Sequence, residues 1–464
     1  MFETTELGEQ ELKNLLLKRE DHFFDFKSKR IKPATLQETF VAFANADGGE
    51  LIIGIEDEKV SGQRVDPFSN PEEANALIHV LLEETKPAVE GLGIEFFAVS
   101  GGVLLHVTIP KSPKVHYTAS GDCYIKLNAE KKKIKGERIT SLAYSKGVLV
   151  YEKQPVSNLE VEEIIESTDL EDYMTRVNTL LDPKKFLHKQ RLLSKDTSQT
   201  ERPNIACALL FDEEPQASLD TRCAVKVYRL RTTDSEYKRE HLAEPPVTIN
   251  GSLENVVKKA IEKVKEYVDG ASFYDGQNLV KMQYPADAIQ EILVNSVLHR
   301  DYSLNDDIHI KIFDDRIEVI SPGKLPGYMT IDNIYDERYS RNPNLVRMLH
   351  NLPNPLNHDI GEGLDTVKNE LGKVGLVPPI FEEKENAFVV IMRHKKMASI
   401  EDVIFDYFKK NPNAFITNKL VRQLSGEGNI NKVKTALQKL RTDKKIEVVD
   451  DKVAAFYIQY KQVK

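Results

Sequence analysis

A stretch opened by Pro33 carries Leu36, Phe40, Phe43 and Ala44 at helical spacing, stops at Asp47-Gly48-Gly49, and resumes as Leu51-Ile52-Ile53-Gly54-Ile55. Proline suits the first turn of a helix, where its missing N–H would be unpaired anyway. The two glycines end the helical run in a tight turn. The unbroken apolar run after them predicts a strand buried on both faces. A chain built this way lays an amphipathic helix against a sheet, which puts it in the α+β class. Residues 9–18 read as a short amphipathic helix beforehand, 23–27 as the start of a strand, and 103–109 as another strand. Gly49 and Gly54 do not form a P-loop, because Ile55 and Glu56 stand where the phosphate-binding Lys and Ser/Thr are needed.

At 464 residues and 52.8 kDa the chain is too long for one ordinary domain. Four segments are expected: 1–135, a connecting region 136–240, 241–397, and 398–464. In the connecting region 206–211 and 224–230 read as strands. Residues 253–267, 285–299 and 361–371 read as helices. Residues 308–313 and 317–320 pair as a hairpin across Asp314-Asp315, and 387–392 make a final strand. The last segment reads as three helices (400–409, 418–424 capped by Thr417, 430–441) and a hairpin of 446–449 with 454–458. That is a winged-helix order.

No window approaches the roughly 18 apolar residues of a membrane span, and the first 17 residues lack the basic and apolar pattern of a secretion signal. Cys123, Cys207 and Cys223 are scattered and odd in number, which suits reduced thiols in a cytoplasmic protein. The net charge of −9 hides an asymmetry. Residues 398–464 hold 13 Lys+Arg against 8 Asp+Glu, while the remainder is acidic.

Chemistry concentrates between Glu291 and Gly363. Glu291 and Asn295 lie four apart, on one helical face. An Asn oxygen is a hard ligand suited to Mg²⁺, and a nearby carboxylate can orient water against a γ-phosphate. Alone the pair is a weak signal. It is followed in order by His299-Arg300-Asp301-Tyr302, Ser321-Pro322-Gly323-Lys324-Leu325-Pro326, Ser340-Arg341-Asn342-Pro343 and Gly361-Glu362-Gly363. Glycines opening a helix allow phosphate to approach free backbone N–H groups. This series resembles the GHKL-like ATPase domain found in bacterial regulators that often carry a helicase label. The resemblance covers about 250–395. It implies Glu291 as the water-orienting base, Asn295 as the Mg²⁺ ligand, Arg300 at the site, Ser321 and Gly323 near adenine, and Gly361 and Gly363 at the phosphates. Ser321 stands near the place of the family's adenine-binding Asp.

Glu20, Asp25-Phe26-Lys27 and the Phe43–Gly49 turn resemble the Schlafen AlbA-type domain over about 12–130, with Asp25 replacing the family's usual Glu. The resemblance implies nucleic-acid binding, and Lys27, Lys29, Arg30 and Lys32, with Lys132 and Lys133, are expected to contact phosphates. It also offers an alternative: Glu20, Asp25 and Asp57 (or Glu56) as three metal-binding carboxylates of a nuclease acting in defence or as a toxin. In the last segment Lys432, Lys434, Lys439 and Arg441 lie on the helix that enters the major groove in winged-helix proteins.

The sequence therefore predicts an α+β, multidomain protein. It joins an AlbA-type Schlafen core, a GHKL-like α/β sandwich and a C-terminal winged helix. The expected function is an ATP- and Mg²⁺-binding, nucleotide-gated DNA- or RNA-binding regulator of transcription. Its expected partners are DNA more than RNA and a second copy of itself, with no membrane. A protein-interaction scaffold with a degenerate nucleotide site is the third reading.

Overall fold

The computed structural model describes residues 2–57, 64–219, 221–269, 272–275, 278–281, 284–356, 363–393, 400–425, 430–449 and 458–463. The fold is α+β, and contacts divide the chain into two compact units. The first comprises 1–155, 299–304 and 323–343, and the second comprises 156–298, 305–322 and 344–464. Two short pieces from within the expected nucleotide segment thus join the first unit.

The first unit is organised by a five-stranded sheet. Its strand order is Glu3–Glu6, Gly93–Val99, Gly102–Ile109, Gly49–Ile53, Phe24–Lys27. The two outer pairings are parallel and the inner two antiparallel. The helix Pro33–Asn45 covers one face, as its spacing predicts, and buries Leu36, Phe40, Phe43 and Ala44 against Leu51, Ile53, Leu105 and Val107. Each large side chain fully buried there contributes roughly 1.5–3 kcal/mol. On the other face Phe24, Phe26, Ile52 and Leu104 meet Leu12, Leu15 and Leu16 of the helix Glu9–Leu16. Gly48 and Gly49 both have positive φ, at 80° and 148°. A Cβ on Gly48 would stand 2.5 Å from the Ile109 carbonyl oxygen, and one on Gly49 would strike the Phe43 ring. The double glycine is therefore a close crossing of backbones.

The second unit begins with short helices and then forms a six-stranded sheet. Its order is Val247–Ile249, Val225–Arg229, Ile308–Ile312, Arg316–Pro322, Ala387–Arg393, Ile380–Lys384. Only the pairing of Val225–Arg229 with Ile308–Ile312 is parallel. The helices Leu253–Asp269, Ala286–Leu298 and Gly363–Lys373 pack side by side, the first two also against the sheet.

Residues 206–211, expected as a strand, are part of a helix, Ile205–Phe211. All seven of its residues are buried, and the Asn204 side chain accepts from the Cys207 N–H at 3.0 Å. A short run that is apolar on every side has no period to choose between helix and strand, and the cap decides it. The helix Pro343–His350, opened by proline, was not expected.

The C-terminal residues form helices Ile400–Lys410, Asn418–Ser425 and Ile430–Thr442 around a core of Ile404, Phe408, Val421, Val433, Leu437 and Leu440. The Thr417 hydroxyl accepts from the Leu420 N–H at 3.1 Å, the expected cap. The strand Ile446–Val448 pairs with Tyr460–Gln462. The expected second strand began at 454; residues 454–457 lie outside the described residues, and the observed one sits further along the chain.

Candidate nucleotide site and nucleic-acid interface

The helix Ala286–Leu298 is apolar almost all round. Ala288, Ile289, Ile292, Leu293, Val294, Val297 and Leu298 are buried, and the less buried positions are Ala286, Asp287, Gln290, Glu291 and Asn295. Asp287, Glu291 and Asn295 recur every fourth residue, so they make one polar stripe on an otherwise packed helix. Within the stripe the Asn295 amide donates to Glu291 Oε1 at 2.9 Å. That bond uses the nitrogen of the amide, and its Oδ1 is the oxygen a hard cation takes.

Glu291 also lies against Gly363, the first residue of the helix Gly363–Lys373. A Cβ on Gly363 would collide with the Glu291 carboxylate, reaching its Cδ at 2.7 Å. Glycine is needed here because a carboxylate fills the space any side chain would take. Glu291, Asn295 and Gly363 are therefore brought together. Gly361 lies outside the described residues.

The other expected nucleotide contacts have different employment. The Ser321 hydroxyl is buried and donates to the Ser296 carbonyl oxygen at 2.7 Å, tying the strand Arg316–Pro322 to the helix of Asn295. Arg300 and Gly323 belong to the first unit. Arg300 is fully buried, donates to the Leu304 carbonyl oxygen at 2.9 Å and stacks over Tyr302. Gly323, with φ 103°, packs so tightly that a Cβ would meet Arg341 and Asp301.

In the AlbA-like region the acids expected to bind metal are otherwise engaged. Glu20 Oε1 accepts from the Phe26 N–H at 3.1 Å. Asp25 is buried, paired with Lys27 and, at 2.9 Å, with Lys126. Burial raises the Glu20 carboxyl, and its hydrogen bond with Asp25 raises it further. Burial would also raise Asp25, but that bond and the ammoniums of Lys27 and Lys126 outweigh it and hold the Asp25 carboxyl low. Asp57 is exposed. Among the described residues, no group of three or more His, Cys, Asp or Glu side chains is placed to hold a metal ion. The expected convergence of Glu20, Asp25 and Asp57 is not met. Lysine ammoniums already neutralise Asp25 where a divalent ion would have to.

Lys126 gave no sequence signal. It is 1% exposed, on the strand Cys123–Leu127, and also lies 4.5 Å over the Phe43 ring. Asn45, at the end of the motif helix, also has a structural use. Its amide donates to the carbonyl oxygens of His116 at 2.8 Å and Tyr124 at 2.9 Å, and its oxygen accepts from the His116 N–H at 2.8 Å. Buried amides so fully bonded are cross-links.

Most of the expected phosphate contacts already face acids. Lys29 and Arg30 pair with Asp66 at 2.7 and 2.9 Å, and Lys133 pairs with Asp122 at 2.6 Å while Lys132 is exposed. On the C-terminal helix Lys434, Lys439 and Arg441 are exposed, Lys439 facing Glu401 at 3.4 Å. The Lys432 side chain lies outside the described residues. Among the described residues, no helix is long and apolar enough to cross a membrane.

Two family models match parts of the chain. Residues 20–135 match the family model described as "Schlafen, AlbA_2". Residues 305–392 match the one described as "Putative ATP-dependent DNA helicase recG C-terminal". The second match starts after the helix that carries Glu291 and Asn295. No curated protein matches the chain. Among solved structures it is similar to the DIP2311 protein from Corynebacterium diphtheriae, at 15% identity and a TM-score of 0.41, over 90% of this chain and 88% of that one. The matched regions point to a function involving nucleotide and nucleic acid: the chain carries an AlbA/Schlafen-type region at 20–135 and an ATPase-type region at 305–392.

Proposed function

We propose that this chain is a nucleotide-gated nucleic-acid-binding regulator, probing DNA with its first unit and its C-terminal helices and sensing ATP in its second. The observation that carries the reading is the Glu291 carboxylate, held by Asn295 and packed on the glycine that opens a helix. A phosphate at that helix start would meet backbone N–H groups. Asn295 Oδ1 would supply Mg²⁺ with a hard oxygen, and Glu291 stands where a carboxylate orients water.

The C-terminal three helices and two-stranded sheet have the order of a winged helix, with Lys434, Lys439 and Arg441 on the third helix. That helix is the element such domains place in the major groove. Transcriptional control in the cytoplasm follows from this reading, and a symmetric dimer would offer two such helices to two half-sites. The occupied carboxylates of Glu20 and Asp25 argue against the nuclease alternative.

Calorimetry with Mg·ATP tests the site. Wild type is expected to bind, and Asn295→Ala to bind at least about tenfold more weakly, a loss of about 1.4 kcal/mol. Equal binding by both removes the assignment.

A further inference from the structure

The turn residue Asp47, part of the motif that ends in Gly48-Gly49, is not used by any nucleic-acid or nucleotide role assigned above. It nevertheless meets three basic side chains. His22 contacts it at 2.8 Å, Lys324 at 3.1 Å and Lys111 at 3.6 Å. Burial alone would raise its carboxyl, but the His22 bond and the two ammoniums hold it well below the usual carboxylate range, so it stays ionised.

Lys324 comes from far along the sequence. It is the second residue of the piece 323–343, which packs within the first unit on the AlbA-like region. The same piece is fastened at three further points. The Leu325 carbonyl oxygen accepts from Lys111 at 3.0 Å, Arg341 donates to the Ser145 carbonyl oxygen at 3.2 Å, and the Tyr339 hydroxyl donates to the Lys146 carbonyl oxygen at 3.2 Å. Tyr339 also fills the space beside Gly147, where a Cβ would meet the ring at 2.7 Å.

A short route leads from this fastening to the proposed nucleotide site. Asn295 is followed by Ser296, whose carbonyl oxygen accepts from Ser321. Three residues on from Ser321 along the chain is Lys324. The backbone in between is constrained: Gly323 has φ 103°, with no room for a side chain. Along the chain, Lys324 thus follows closely on the strand that Ser321 ties to the Asn295 helix.

We propose that the Asp47–Lys324 ion pair is a latch that couples nucleotide binding in the second unit to nucleic-acid binding by the AlbA-like region. The structure shows the pair made, and the proposed coupling requires a second state in which it is broken. It rests on the nucleotide-gated reading given above. Lys324 is the position to vary, since it touches neither the proposed phosphate contacts nor Glu291 and Asn295, whereas Asp47 also holds His22 and Lys111.

The experiment uses the full chain as wild type, Lys324→Gln and Lys324→Arg. A labelled oligonucleotide, single-stranded and duplex, is titrated with and without Mg·ATP, and nucleotide affinity is measured separately. For wild type, Mg·ATP is expected to change the oligonucleotide Kd by at least about fivefold, an ordinary coupling between sites. In Lys324→Gln that ratio is expected to fall to near one while Mg·ATP still binds as in wild type, and Lys324→Arg is expected to restore it. A wild-type ratio retained in Lys324→Gln overturns the latch and leaves the gate standing. A wild type that binds both ligands with no effect of one on the other, or that fails to bind one of them, overturns the gated reading and the latch with it.

Discussion

The AlbA-like region and the Glu291 site both came to notice through sequence motifs, yet the two motifs are spent differently. In the first, Asn45, Asp25, Gly48 and Gly49 are turned inward: Asn45 cross-links backbones, Asp25 neutralises lysines, and the glycines let chains cross. In the second, Glu291 and Asn295 form a polar stripe on a helix that packs well without them. Residues that make a fold possible and residues that give it chemistry can thus look equally motif-like, and their bonding separates them. A fully satisfied buried amide belongs to the scaffold. A carboxylate on a polar stripe, packed on the glycine of a helix start, is the part the proposed nucleotide role would use.

That contrast can be broken most sharply at Asn45. Asn45→Leu would leave the His116 N–H and the carbonyl oxygens of His116 and Tyr124 without their buried partner, costing about 3 kcal/mol. Denaturant unfolding should show it as a lower midpoint. A change within error would mean the motif asparagine is not structural.

Lys146 sharpens the same side of the comparison. Burial pushes its ammonium down to about 7 from the ordinary 10.5, and it donates to the carbonyl oxygens of Ala44 and Ser112. Between those two values the unfolded chain carries a proton the folded one lacks, so this group makes stability rise with pH across that window, with a slope approaching about 1.4 kcal/mol per pH unit. Lys146→Met should flatten the rise. Unfolding free energies measured from pH 7 to 10 check it, and an unchanged slope would sink the idea.

On the site side, Gly363→Ala must move the Glu291 carboxylate. The expected outcome is a loss of Mg·ATP affinity of at least about tenfold, read by calorimetry, with a smaller effect on stability than Asn45→Leu. The reverse pattern would make Gly363 another scaffold glycine. The smallest effect is expected at Ser321→Ala, which removes one hydrogen bond to Ser296 and costs about 1 kcal/mol in unfolding. If adenine selectivity changes instead, Ser321 touches the base after all.

Periodicity made much of the fold legible. The helix Pro33–Asn45 and the hairpin of Ile308–Ile312 with Arg316–Pro322 appear where their apolar spacing places them. Residues 206–211 did not, because a run apolar on every side has no period and the Asn204 cap lies outside it. Within the site, Glu291 and Asn295 were legible because four-residue spacing fixes a shared face. Lys126, Lys324 and Asp47 were not. Their partners are distant in sequence, and a lone lysine has the same appearance whether it is solvated or buried against an acid. Arg300 and Gly323 were placed by motif order alone, which carries no information on the compact unit they join.

Glu20 has one more consequence. The strand Phe24–Lys27 ends its sheet, and two of its outward-facing backbone groups are taken within the chain, Phe26 N–H by Glu20 and the Phe24 carbonyl oxygen by the Asp21 N–H at 3.0 Å. An edge so occupied offers no template to a strand from another molecule. The acid that a nuclease would spend on catalysis here guards against aggregation, and its loss should appear first as poor solubility.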